Sequence, residues 1–137
     1  MKQETNTLYT FITGGGISSI AYLLGGIDHL LVALVIFMVC DFLIGVIAGS
    51  QNEGISSKRA LKGLGKKGAM ITLVIIANQL DIISGSEQGF VRNSMLFFLI
   101  GTEGISLIEN MARLGLDVPD FLKSRFEQIK SDKGDKK

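Results

Sequence analysis

The sequence predicts an all-α membrane protein: about four transmembrane helices, three if the first is mobile, followed by a C-terminal amphipathic cytoplasmic helix. Three observations carry this. From Thr5 to Ile27 no Asp, Glu, Lys, Arg or His occurs, a run of 23 residues, and a spanning helix needs about 20. Three further apolar blocks follow, Leu30–Ser50, Gly68–Gly85 and Asn93–Asn110, with Asp41, Asp81 and Glu103 inside them. After Asn110 the pattern changes, and charges recur every two or three residues. Bulk composition, 20% charged and 47% apolar, would also suit a soluble domain, so the placement of the charges decides the class.

The first segment is the weakest of the four. Gly14, Gly15, Gly16, Ser18 and Ser19 lower its apolarity, and each glycine costs a helix about 1 kcal/mol. A cleaved leader would need a stronger basic start than Lys2, which Glu4 offsets, so the segment is expected to stay as a span. Between the second and third blocks, Gln51–Lys67 reads as a basic loop, with Lys58, Arg59, Lys62, Lys66 and Lys67 against Glu53. Short basic loops remain in the cytoplasm and can contact anionic lipid head groups. Four spans then place both termini in the cytoplasm. The third block is not cheap to insert. An acid at mid-helix costs about 2.5–3.5 kcal/mol, while each Leu, Ile, Phe or Val returns about 0.3–0.6. With Asn78, Gln79 and Asp81 in it, this segment should depend on its neighbours.

Beyond the fourth block, Gly115 can end a helix and Asp117 can cap the next, with Pro119 in its first turn. At 100° per residue, Val118, Phe121, Leu122, Phe126 and Ile129 share one face, opposite Asp120, Lys123, Glu127 and Lys130. That pattern suits a helix lying on the membrane or on a partner helix.

Ionisable residues inside spans face a bundle interior or a watery path. Asp41 shares a face with Gly45, close to Gly49, a small-residue surface that lets helices approach. Asn78 sits one turn before Asp81. Glu103, Ser106 and Asn110 form one stripe flanked by Gly101 and Gly104. Two readings stay open for Asp41, Gly45, Gly49, Asn78, Asp81, Glu103, Ser106 and Asn110: glue between the helices of one monomer, or the lining of a pore or oligomer interface. Catalytic, cofactor-binding and metal-ligating residues are not expected. His29 is the one histidine and Cys40 the one cysteine, so neither a triad nor a ligand set can form. Gly63–Gly68 lacks the spacing and hydroxyl of a phosphate loop. A net charge of +1 gives no reason to expect nucleic acid.

Several stretches together resemble a bacteriophage holin family that also includes holin-like proteins implicated in toxin secretion. Asp41-Phe42-Leu43-Ile44-Gly45-Val46-Ile47-Ala48 is similar to its D-[FY]-x-x-G-x-[IL]-A block. Ile55–Lys58 with Lys62-Gly63-Leu64 and Lys66-Lys67 looks like its basic loop, and Gln79-Leu80-Asp81 like the end of its third segment. Thr102-Glu103-Gly104-Ile105-Ser106-Leu107-Ile108-Glu109-Asn110 resembles its N-E-x-x-S-[IL]-x-E-N signature, with Thr102 where the pattern has Asn. Leu114-Gly115 and Pro119 echo the stretch before its tail. The resemblance runs from about Val39 to Lys130. The chain is expected to divide into a transmembrane holin domain over 1–110, an amphipathic helix over 111–130 and, from its polar composition, a disordered tail over 131–137. The resemblance further implies a homo-oligomer in the bacterial cytoplasmic membrane that opens lesions for an endolysin or a toxin. Membrane lipids are the direct surroundings, and no cofactor is implied. A small ion or proton channel using the same carboxylates is the alternative.

Overall fold

The computed structural model describes residues 2–86 and 88–131, in backbone only at 2–5, 52 and 53. Five helices follow one another: α1 (Lys2–Leu23), α2 (His29–Glu53), α3 (Ser57–Ser84), α4 (Phe90–Arg113) and α5 (Asp120–Ser131). Three of them are long and apolar enough to cross a membrane, over His29–Gln51, Ser57–Ser84 and Phe90–Arg113. The first segment is helical but is not among these. Among the described residues its glycines and hydroxyl residues dilute its apolarity.

Local chemistry sets the helix ends. Asp28 caps α2, its carboxylate accepting from the Leu31 amide at 2.9 Å, and Ser56 caps α3 through the Arg59 amide. Helix α2 stops at Gly54 and α3 at Gly85, both at positive φ (75° and 70°), where a side chain would be strained. The turn between α2 and α3 is therefore short. The stretch read as a basic loop is helical from Ser57 onward, so Lys58, Arg59, Lys62, Lys66 and Lys67 ride on the first turns of α3. Consecutive cations lie on a continuous helix because the hydrogen-bond ladder, once capped at Ser56, meets no proline to stop it. Helix α5 starts at Asp120, two residues later than a cap at Asp117 would place it. Gly115 does turn the chain, with φ of +81°. Of the tail expected over 131–137, Ser131 closes α5 and 132–137 lie outside the described residues.

Helices α2 and α4 run parallel and pack along their length, α3 lies antiparallel beside α4, and α5 folds back along α4. The core is Leu24, Leu31, Leu34, Met38, Met70, Val74, Leu96, Leu99 and Ile100. Lipid is as apolar as these side chains, so close packing and polar contacts hold such a bundle rather than escape from water. Helix α1 joins it by its C-terminal end. Leu24 is in the core, while Leu8, Phe11, Ile12 and Ile17 are exposed. The Gly14–Gly16 run meets no neighbour, so close approach is not what those glycines serve within one chain.

Candidate functional site: two polar clusters in the bundle

Five of the residues singled out in the sequence meet at one level between α2, α3 and α4. The Lys67 ammonium donates to Asp41 Oδ2 at 2.9 Å and to Glu103 Oε2. The Asn110 amide donates to Asp41 Oδ1 at 3.0 Å. Gly45 allows this last contact: a Cβ there would sit 3.2 Å from Asn110 Nδ2. Glu103 is fully buried, and its second oxygen, Oε1, has no hydrogen-bond partner among the described residues. One ammonium thus serves two acidic side chains. Lys67, grouped by sequence with the loop cations, belongs here instead. Its side chain is 12% exposed, whereas Lys58, Arg59, Lys62 and Lys66 are exposed.

A second cluster ties the other end of the bundle. Asp81 accepts from the Val91 and Arg92 amides at 3.0 and 2.7 Å, so an acid on α3 caps the start of α4, where Gly89 has no side chain to do so. A carboxylate there also meets the positive end of the helix dipole. Arg92 is 4% exposed. Its guanidinium donates to the Leu24 and Gly26 carbonyls and to Asp28, at 2.7 Å for Nη1 to Oδ2. Asn78 donates to the Tyr22 and Leu23 carbonyls at the end of α1. The Arg92 hydrogen bond holds the Asp28 carboxyl below the usual carboxylate value. Arg92 lies one residue before the apolar block that begins at Asn93, where the sequence alone gives it no partner. The available signal was its position three residues after Gly89, inside the first turn of α4, where an arginine can fold back only if acceptors face it.

The structure therefore divides the candidates. Asp41, Gly45, Glu103 and Asn110 join Lys67 in the first cluster, and Asn78 and Asp81 belong to the second. Gly49 borders a cleft between α2 and α3, and Ser106 is half-buried and makes none of these hydrogen bonds. The two other glycines flagged by the sequence have a definite task. A Cβ on Gly104 would fall 2.4 Å from the Phe126 ring, and one on Gly101 would fall 2.8 Å from the Phe126 carbonyl oxygen. They form a groove on α4 into which α5 packs.

An order of polar residues shared by other chains would set this bundle in context. The family model described as the bacteriophage holin family matches residues 18–131. The chain belongs to that family. A protein of Bacillus phage phi105 named a probable holin is 32% identical over 116 residues, 85% of this chain and 84% of that one. An uncharacterised protein of Listeria monocytogenes is 41% identical over 103 residues, covering 75% of this chain and 73% of its own. One from Clostridium perfringens is 33% identical over 108 residues, covering 79% and 80%. No solved structure matches the chain. The match spans every polar contact described above, so both clusters and the α4–α5 groove lie within the part this holin-family chain shares with its relatives. The family is not an enzyme family.

Proposed function

We propose that this holin-family protein oligomerises in the bacterial cytoplasmic membrane and opens a lesion through which an endolysin, or a toxin, crosses. Helix α5 is the observation that carries the reading beyond family membership. It docks at Gly101 and Gly104, near the midpoint of α4, and Lys130 Nζ lies 5.1 Å above the Phe98 ring. Lys123, Arg125 and Glu127 remain exposed on its outer side. Each such charge at mid-depth against lipid costs about 2.5–3.5 kcal/mol. A docked α5 is stable where that face borders water, as it would on the inside of a lesion. The first cluster then serves as an internal tie whose acids are tolerable when packed and become hydrated once the helices part.

The exposed cations at the start of α3 favour placing that end in the cytoplasm. Helix α2 then begins outside, and α4 ends inside at Arg113, from where α5 folds back along it. The N-terminus is cytoplasmic only if α1 crosses as well. Thiol labelling in a Cys40-free background tests this arrangement. A cysteine at position 58 should be protected in intact cells and one at Ser86 labelled from outside.

Size-resolved leakage from liposomes tests the lesion. Release of protein-sized cargo above a threshold density supports a holin. Release of ions or protons alone would overturn it in favour of a small channel built on the same carboxylates.

A further inference from the structure

Helix α5 sits at a depth that its own charges resist. The Lys130 backbone lies against Gly101, at the middle of a span that runs from Phe90 to Arg113. From Gly101 to Arg113 the helix rises about 18 Å. At that depth the sequence continues into Asp132, Lys133, Asp135, Lys136 and Lys137, and Lys123, Arg125 and Glu127 are exposed on α5 itself. Lipid does not accept charges there unless they meet water or a partner. The apolar stripe of α5 also fits this seat only in part. Phe126 and Ile129 are half-buried, but Phe121 is 64% and Leu122 37% exposed. The cytoplasmic surface of the membrane satisfies both sides of the helix: the whole stripe enters the head-group region while the charges stay in water. The stretch from Asp120 to Lys137 carries six cations against four acids, which suits an anionic leaflet. The join between α4 and α5 can turn, with Gly115 at positive φ and Leu116 and Asp117 exposed.

We propose that α5 has two seats: the cytoplasmic membrane surface while the chain is dispersed in lipid, and the Gly101–Gly104 groove of α4 once that side of the bundle borders water. This rests on the reading that the docked face lines a lesion. Assembly hydrates that side of α4, α5 leaves the surface, and its charges enter the water with it. The groove is ready for the exchange, because Gly101 and Gly104 leave room for Phe126 and the Lys130 backbone that any side chain would take away.

Pulsed electron resonance on a Cys40-free I83C/E127C chain tests the exchange. Ile83 is 80% exposed at the outer end of α3, and Glu127 is exposed on α5, so spin labels at both leave the packing alone. Labelled chains are diluted with unlabelled ones in liposomes of phosphatidylglycerol and phosphatidylethanolamine. The distance should be about 10 Å longer in sparse liposomes than at lesion-forming density, because the surface seat lies beyond Arg113 and the groove at Gly104 lies about 14 Å further along α4. G101L fills the groove and should hold the long distance at both densities. A short distance in sparse liposomes would overturn the exchange, as would a long one at every density. A short distance found only between chains labelled singly at 83 or 127 would mean that α5 seats on a second copy, and would overturn it as well. Cargo release from the same dense liposomes separates this result from the lesion. A shortened distance with release of ions alone keeps the exchange and removes the lesion; release of protein at an unchanged long distance does the reverse.

Discussion

Lys67 holds two carboxylates that would otherwise face each other inside the bundle. Removing one partner of a buried charge pair costs about 3–5 kcal/mol, because the remaining charge is left uncompensated. K67A should lower the stability of the reconstituted bundle by about that much, read from its midpoint in a denaturing-detergent titration. E103Q should cost far less, since Lys67 and Asp41 then form a neutral pair, and K67A/E103Q should recover part of the loss. If K67A proves no worse than E103Q, the ammonium is not what balances the cluster. At the other end, the Arg92 guanidinium stabilises the ionised form of Asp28 and keeps its pKa below the ordinary 3.8. A lowered carboxylate pKa means that the tie is present at neutral pH, persists as pH falls to the ordinary value, and is lost only below it. A carboxyl-carbon NMR titration should place Asp28 below 3.8, and R92Q should return it upward.

At the scale of the element, α5 rests on a steric condition. Its apolar stripe is used unevenly: Phe126 and Ile129 are half-buried, but Phe121 is 64% exposed. Phe126 also meets Phe37 of α2 edge-on, with centroids 5.3 Å apart. F126S should therefore weaken docking by up to about 1.5–3 kcal/mol, the value of a fully buried side chain of that size, and F121S should do little. G101A is the sharper test, since the added Cβ would press on backbone at Phe126 instead of on a movable side chain. The disulfide yield of F37C/F126C in a Cys40-free chain should fall when G101A is added. An unchanged yield would mean that α5 does not need the groove.

For the whole molecule, the three packed helices and α5 form one body to which α1 is joined at its end, through Leu24 and the Tyr22 and Leu23 carbonyls. Deleting residues 2–18 should leave the bundle folded, with an unchanged denaturation midpoint in detergent, because Leu8, Phe11, Ile12 and Ile17 are exposed and Gly14–Gly16 meet no neighbour. The assembly is where its loss should appear. The exposed face of Leu8, Phe11, Ile12 and Ile17 has lipid or another chain to meet, so lesion onset should shift while monomer stability does not. A truncated chain that unfolds would show that α1 supports the bundle directly.

Charge placement along the chain determined that the protein is helical, with helices apolar enough to span a membrane, and which acids lie inside them. These follow from the cost of putting charge in lipid, which acts on each segment separately. Periodicity likewise put Gly45 on the face of Asp41, and Glu103 on that of Asn110. Only tertiary structure decided which of these meet. Lys67 looks like Lys66 in sequence, yet one helical step turns it inward onto Asp41 and Glu103. Arg92 looks like a loop cation until the α1–α2 turn brings the Leu24 and Gly26 carbonyls and Asp28 around it. Gly101 and Gly104 are a small-residue pair that could receive any helix, and the turn at Gly115 brings α5 to them. Partners far apart in the chain leave no local pattern, because a buried charge is satisfied by whatever the packing delivers.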